Sequence, residues 1–232
     1  MHKNALVVFD FDGTLYPISP YDSEQALLLA LTQGSSRWFG LRARRLVRQD
    51  QEGKLVGRAF HRRYASLIRH ADRNLVEHIG RDLAKHLGTK ERQALMLLAE
   101  HADLGILSCG TETIIEAFLQ EAGLLPHFSF IRAKRLLWDA QGNARMTVDI
   151  DSPEAKAEAI QVLRSTYPII LAVGDGPTDI PMLEAADLGL VMNWSTQQKT
   201  YPFPTYASLE DVCKRCLAYL DNAKEACCTA NR

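Results

Sequence analysis

Ala5-Leu6-Val7-Val8-Phe9-Asp10-Phe11-Asp12-Gly13-Thr14 is the stretch on which the reading of the whole chain turns. Five apolar residues in a row, without alternation, fit a short strand buried on both faces. Two carboxylates then follow, two positions apart, just past the strand's end. An unpaired carboxylate is expensive to bury, so a core strand ending in two acids implies a partner for them. At the carboxyl end of a parallel strand they occupy the place where open α/β sheets bind ligands. Taken alone, the same letters also read as an acidic Asp-Gly turn.

A second stretch repeats the design. Ile169-Ile170-Leu171-Ala172-Val173 is again fully apolar, and Gly174-Asp175-Gly176-Pro177-Thr178-Asp179 follows it directly. Two acidic turns at the ends of two core strands would gather four carboxylates in one crevice. Like charges so close require a cation, and hard oxygen ligands favour magnesium. Ser108-Cys109-Gly110-Thr111 ends a third apolar run, Leu104 to Ser108, and opens a helix, where a hydroxyl and free amides suit an anion or merely cap the helix. Lys156 stands in the first turn of a helix running from Pro153 to about Ser165. A cation there opposes the helix dipole unless it has an anionic partner.

The segments between these motifs alternate. Helices are expected at about 112–122 and 180–186, strands at 128–131 and 188–192, and a hairpin at Lys134–Asp149 around Asp139-Ala140-Gln141-Gly142-Asn143. This order specifies a doubly wound, Rossmann-like parallel sheet. Between Pro17 and Glu100 the pattern is helical instead, with periodic apolar residues over 23–33, 55–68 and 75–87. Gly88 reads as a C-cap and Thr89 as the N-cap of a last helix reaching about His101. That stretch carries 15 Lys and Arg against 9 Asp and Glu, a balance of +6 inside a chain of net charge −1. The expected architecture is a catalytic core of residues 1–16 and 101–225, an inserted helical cap of 17–100, and a tail of 226–232. Tyr16-Pro17 and the return near His101 would be the hinges.

Asp-Phe-Asp-Gly-Thr at 10–14, Ser108, Lys156 and Gly-Asp-Gly-Pro-Thr-Asp at 174–179, in this order, resemble the four motifs of the haloacid dehalogenase superfamily. Ala133-Lys134-Arg135-Leu136 and the helical insertion resemble its phosphoserine-phosphatase-like branch. The resemblance implies a magnesium-dependent phosphatase acting on a small phosphate monoester. Asp10 would be the nucleophile and Asp12 the general acid and base. Magnesium would be held by Asp10, the Asp12 carbonyl and Asp175. Thr14, Ser108, Cys109, Gly110, Lys156 and Asp179 would surround the phosphoryl group, with Asp179 orienting Lys156 or a metal-bound water. Asp12 argues against dehalogenases, which lack an acid there, and against ion-pumping ATPases, which carry Thr. A phosphomutase, a phosphotransferase and a silent binding protein are the alternatives. Phosphoserine phosphatases typically have Ser where Gly13 stands and a Glu a few residues later, where this chain has Tyr16-Pro17-Ile18-Ser19-Pro20.

Other features read more plainly. The apolar start is too short for a signal peptide, no run is long enough to span a membrane, and five cysteines, an odd number lying mostly near the C-terminus, suggest reduced thiols. A cytoplasmic protein, monomer or homodimer, without nucleic-acid or membrane partner is expected. Cys213 and Cys216 share a helical stripe with Leu209, Val212, Leu217 and Leu220 and read as packing, with Cys227-Cys228 a poor second pair for zinc. His70, His78 and His86 read as surface residues, and Arg37 to Arg48 as a solvated helix face. Arg37, Arg42, Arg44, Arg45, Arg58, Arg62 and Arg63 are candidates to hold a second anionic group of the substrate.

Overall fold

A computed structural model describes residues 3–18, 20–55, 57–195 and 200–230, without the side chains of residue 58 and residues 226–230. Its centre is β1 (Ala5–Phe9), buried along its whole length. β1 pairs in parallel with β2 (Asp103–Thr111) on one side and β5 (Ile169–Gly174) on the other. β3 (Phe128–Trp138), β4 (Ala144–Val148), β6 (Leu188–Met192) and a two-residue β7 (Thr205–Tyr206) complete a sheet of order β4-β3-β2-β1-β5-β6-β7. Only β4 runs antiparallel to its neighbour. Side chains of β1 divide by parity: Val7 and Phe9 enter one core cluster, Leu6 and Val8 the other. Both faces are therefore covered, which is why the strand needs no polar residue.

Phe9 lies opposite Ile106 of β2 and Val173 of β5. The carboxyl ends of three neighbouring strands thus come level, and Asp10, Ser108 and Asp175 emerge on one edge.

Among the described residues, five helices stand between β1 and β2: α1 (Ser23–Ala30), α2 (Arg37–Gln51), α3 (Gly57–Ile68), α4 (Arg73–Ala84) and α5 (Thr89–His101). Side-chain oxygens of Asp22, Ser36 and Asp72 cap the first, second and fourth. After β2 come α6 (Glu112–Glu121), α7 (Pro153–Leu163), α8 (Ile180–Ala185) and α9 (Leu209–Ala230). α4 packs along α6, and α5 along α9. At the first contact a β-carbon on Gly80 would stand 2.3 Å from the carbonyl oxygen of Ile114, so no larger residue fits.

Some expectations shift. Gly88 is the N-cap of α5 rather than the C-cap of α4, and Thr89 is the first helical residue. α4 unwinds through backbone bonds from Lys85, His86 and Leu87 to carbonyls three residues earlier, so no left-handed glycine is needed. Phe128 to Trp138 is one continuous strand, because its outer half pairs with β4. Cys213 and Cys216 are buried among Leu209, Val212 and Leu220, and burial pushes the Cys213 thiol up to about 12. The side chains of Cys227 and Cys228 lie outside the described residues. His70, His78 and His86 are exposed. Among the described residues no helix is long and apolar enough to cross a membrane.

Candidate active site

Asp10 continues the β1 ladder, its N–H donating to the Val173 carbonyl at 2.9 Å. Its side chain turns into the crevice between β1 and β5, where Lys156 of α7 waits. The ammonium donates to Asp10 Oδ1 at 2.7 Å and to Asp179 Oδ1 at 2.6 Å, and all three side chains are buried. Asp179 is fixed from behind, since its Oδ2 accepts the N–H groups of Asp175 and Gly176 at 3.0 and 3.2 Å. The glycines make this crowding possible. Gly13 has φ +78° and would place a β-carbon 2.2 Å from Asp175 Oδ2, while one on Gly174 would stand 2.4 Å from Asp179 Cβ.

Carboxylate oxygens of Asp10, Asp175 and Asp179 lie within 4.8 Å of one another. One lysine faces three acids. Burial, opposed by Lys156 and reinforced by Asp179, pushes Asp10 up to about 7. Burial, with Asp10 and Asp179, pushes Asp175 up to about 8. Burial disfavours the Lys156 charge, but Asp10 and Asp179 outweigh it and the lysine titrates above its ordinary range. Fully ionised, this cluster needs more positive charge than Lys156 carries, and its donors are all hard oxygens. A divalent cation such as magnesium fits that requirement. The Asp12 carboxylate is outside this cluster, its expected role being through the main-chain carbonyl, while Asp179, expected to orient Lys156 or a metal-bound water, is inside it and bonded to Lys156.

The Asp12 carboxylate is held from the cap side instead. Oδ1 accepts from the Tyr16 hydroxyl and from the N–H of Ser23 at 2.8 Å, and Oδ2 accepts from Ser23 Oγ at 2.9 Å. Ser23 is the first residue of α1, so an inserted helix delivers both donors. Around Gly110, Asp12 Oδ2, Ser108 Oγ and Ser23 Oγ converge: a β-carbon there would lie 3.0, 3.3 and 3.6 Å from them. The Gly110 N–H donates to Ser108 Oγ at 3.0 Å. Thr14 is fully buried, and its hydroxyl has no hydrogen-bond partner among the described residues. Burial raises the Cys109 thiol above its ordinary range, with the Lys156 charge opposing and the Asp10 charge adding.

A second buried ion pair adjoins the site. Lys134 of β3 donates to Glu24 Oε2 of α1 at 2.6 Å, and Thr111 donates to Glu24 Oε1 at 3.0 Å. The Thr111 and Tyr64 hydroxyls share a bond of 3.2 Å. The Lys134 ammonium also sits 5.4 and 5.5 Å from the stacked rings of Phe60 and Tyr64. Sequence reasoning had assigned no role to Ser23, Glu24 or Lys134. The one local signal was the Asp22-x-x-Gln25 start of α1, which places Ser23 and Glu24 in a first turn. Of the candidate arginines, Arg37, Arg42, Arg44, Arg45, Arg62 and Arg63 are exposed, and Arg63 donates to Gln49 Oε1 at 2.9 Å. The side chain of Arg58 lies outside the described residues.

A family model described as haloacid dehalogenase-like hydrolase matches residues 7–184. No curated protein matches the sequence. Among solved structures, a probable phosphoserine phosphatase from Vibrio cholerae is 18% identical with a TM-score of 0.69, over 95% of this chain and 66% of that one. A phosphoserine phosphatase from T. onnurineus is 19% identical, TM-score 0.65, over 91% and 94%. A substrate-bound phosphoserine phosphatase complex is 20% identical, TM-score 0.61, over 83% and 87%. At such identities the likeness establishes a common fold.

Proposed function

The chain belongs to the haloacid dehalogenase-like hydrolases, and from that premise we propose that it is a magnesium-dependent phosphatase of small phosphate monoesters. The observation that carries this reading is the imbalance of three carboxylates against one buried lysine at the carboxyl edge of the sheet. Asp10, Asp175 and the Asp12 carbonyl would hold magnesium, with Asp179 beside them. When bound, the ion supplies charge to offset the phosphoryl oxygens and keeps the carboxylates ionised.

The chain's own residues divide the remaining work. Asp10 attacks phosphorus through one carboxylate oxygen, forming an aspartyl-phosphate as the bond to the leaving oxygen breaks. Asp12 gives that oxygen a proton and then takes one from the water that hydrolyses the intermediate. Lys156, Ser108 and the Gly110 N–H hold phosphoryl oxygens, and Asp179 keeps Lys156 aimed. Such positioning and charge compensation are most of what phosphoryl transfer requires.

Phosphoserine itself fits poorly, although neighbours in fold are phosphoserine phosphatases. The first acids after the motif are Asp22, which caps α1 through Oδ1, and Glu24, whose charge is already met by Lys134, so the acid a substrate ammonium would need is not supplied as in the phosphoserine phosphatases. The test is phosphate release from an aryl phosphate and a panel of metabolite phosphates, with and without chelator. Magnesium-dependent release, lost in Asp10→Asn and reduced roughly 10²- to 10⁴-fold in Asp12→Asn, is expected. Isomerised sugar phosphate without free phosphate would instead identify a mutase, and release that persists in Asp10→Asn would end the covalent mechanism.

A further inference from the structure

Helix α2 carries five arginines, Arg37, Arg42, Arg44, Arg45 and Arg48, and one acid, Asp50, which accepts from Gln25 at 2.8 Å. All five arginines are exposed, and among the described residues none is ion-paired. The helix buries Ala43, Leu46 and Val47 and turns the opposite face outward. On that outward face stand Trp38, 78% exposed, and Leu41, 62% exposed. Helical spacing interleaves them with the cations: Trp38, Leu41, Arg45 and Arg48 form one outward stripe, and Arg37, Leu41, Arg44 and Arg48 another.

A solvated face has no use for an exposed indole and isobutyl group at its centre, and five unpaired guanidinium groups within twelve residues repel one another. Both costs vanish if the face meets an anionic surface with an apolar layer just beneath it. Arginines can pair with lipid phosphates while an interleaved Trp and Leu enter the headgroup layer, where aromatic and apolar groups are favoured. Pairing with a second copy is disfavoured, since two such faces would set five arginines against five. A nucleic acid would satisfy the arginines but offers nothing to Leu41, and the rest of the chain carries net negative charge.

We propose that the outward face of α2 is a docking surface for anionic lipid bilayers, with Trp38 and Leu41 entering the headgroup layer and the five arginines pairing with lipid phosphates. The helix is about 22 Å long, and Asp50 and Gln51, at its far end, bond to Gln25 of α1 and to the Pro20 carbonyl. Docking is independent of the reaction assigned above.

The test is sedimentation of the full chain with vesicles of phosphatidylcholine, alone or with 30 mol% phosphatidylglycerol (an illustrative level, about a third of the lipid). Binding to the anionic vesicles, lost in high salt, is expected. Arg42→Gln with Arg45→Gln should weaken it roughly thirtyfold, at about fivefold per arginine. Trp38→Ser with Leu41→Ser should weaken it with the charge untouched, and Trp38 emission should move to the blue, read as the difference from Trp38→Phe. Melting curves check that each variant is folded. Equal binding to neutral vesicles, no vesicle binding, or retention of a labelled oligonucleotide in place of vesicles would each overturn the proposal.

Discussion

Two lysines in this chain are 1% exposed, and each grips a carboxylate at 2.6–2.7 Å, yet they stand in opposite electrostatic situations. Lys156 faces three carboxylates. Lys134 faces one, Glu24, whose second oxygen is occupied by Thr111, and aromatic rings cover the rest of the ammonium. The first centre is unbalanced and lies at the carboxyl edge of the sheet; the second is neutral, joining α1 of the insertion to β3 of the sheet. Burial alone does not separate a reactive group from a structural one. The excess of charge left after pairing does.

The comparison breaks if removing charge affects both centres alike. Asp10→Asn should lower phosphate release by roughly 10⁴-fold or more while leaving the melting temperature unchanged or higher, because it relieves a cluster of repelling acids. Lys134→Met should do the reverse. It strands Glu24 and should cost about 3–5 kcal/mol in urea unfolding, most of it recovered when Glu24→Gln is added. Equal losses in the single and double variants would mean the pair is not an isolated neutral unit.

The pH dependence sharpens the same contrast. In the metal-free protein Asp10 and Asp175, raised to about 7 and 8, keep protons that the unfolded chain has already released. Stability should therefore fall as pH rises from 5 through 8, and Glu24, raised by burial, adds to this limb. At the seam His61 is lowered to about 4 by burial and the Lys134 charge, so its contribution is present above pH 6.5 and lost as pH falls towards 4. Between pH 4 and 6.5 the His61 gain offsets only one of the two carboxylates, so melting temperature should fall gently from pH 5 to 6.5 and more steeply from 6.5 to 8. Asp10→Asn should flatten the fall, His61→Gln should steepen it below pH 6.5, and added magnesium should help most at pH 8. The smallest effect is expected for Ser23→Ala. It removes one bond to the Asp12 carboxylate, about 1.5 kcal/mol, and should slow turnover of alkyl phosphates roughly tenfold, with Ser23→Thr retaining more.

The unbalanced centre was the legible one. Asp10, Asp12, Asp175 and Asp179 sit in short turns directly after apolar strands, so strand, turn and acid are written within a few adjacent residues. Lys156 was suspect for a local reason too, a cation in a helix's first turn. The neutral centre has no such signature. Glu24 is simply a favourable acid near a helix start, Lys134 an ordinary strand residue, and 110 positions separate them. Only the fold, which sets α1 against β2 with β3 alongside, makes them partners. Ser23 escaped for the same reason. The arginines show the converse: their charge was obvious, but which way α2 would turn them depended on Ala43, Leu46 and Val47 choosing the buried side.

Gly80 bears on how this molecule could be re-engineered. Because α4 meets α6 with no room for a methyl group, and α5 lies along α9, the last two inserted helices are fitted to the sheet's own layers. The chain is stitched to the β3–β4 hairpin just after α3, where Trp138 Nε1 donates to the Ala71 carbonyl at 2.9 Å and the Ala144 N–H to that of Arg69. The exchangeable cassette would then be residues 17–71 rather than 17–100. A chimaera cut at the shorter boundary would replace Ser23, Glu24 and the whole α2 face in one piece, yet inherit an intact α4–α6 contact. One cut at the longer boundary would have to supply its own glycine.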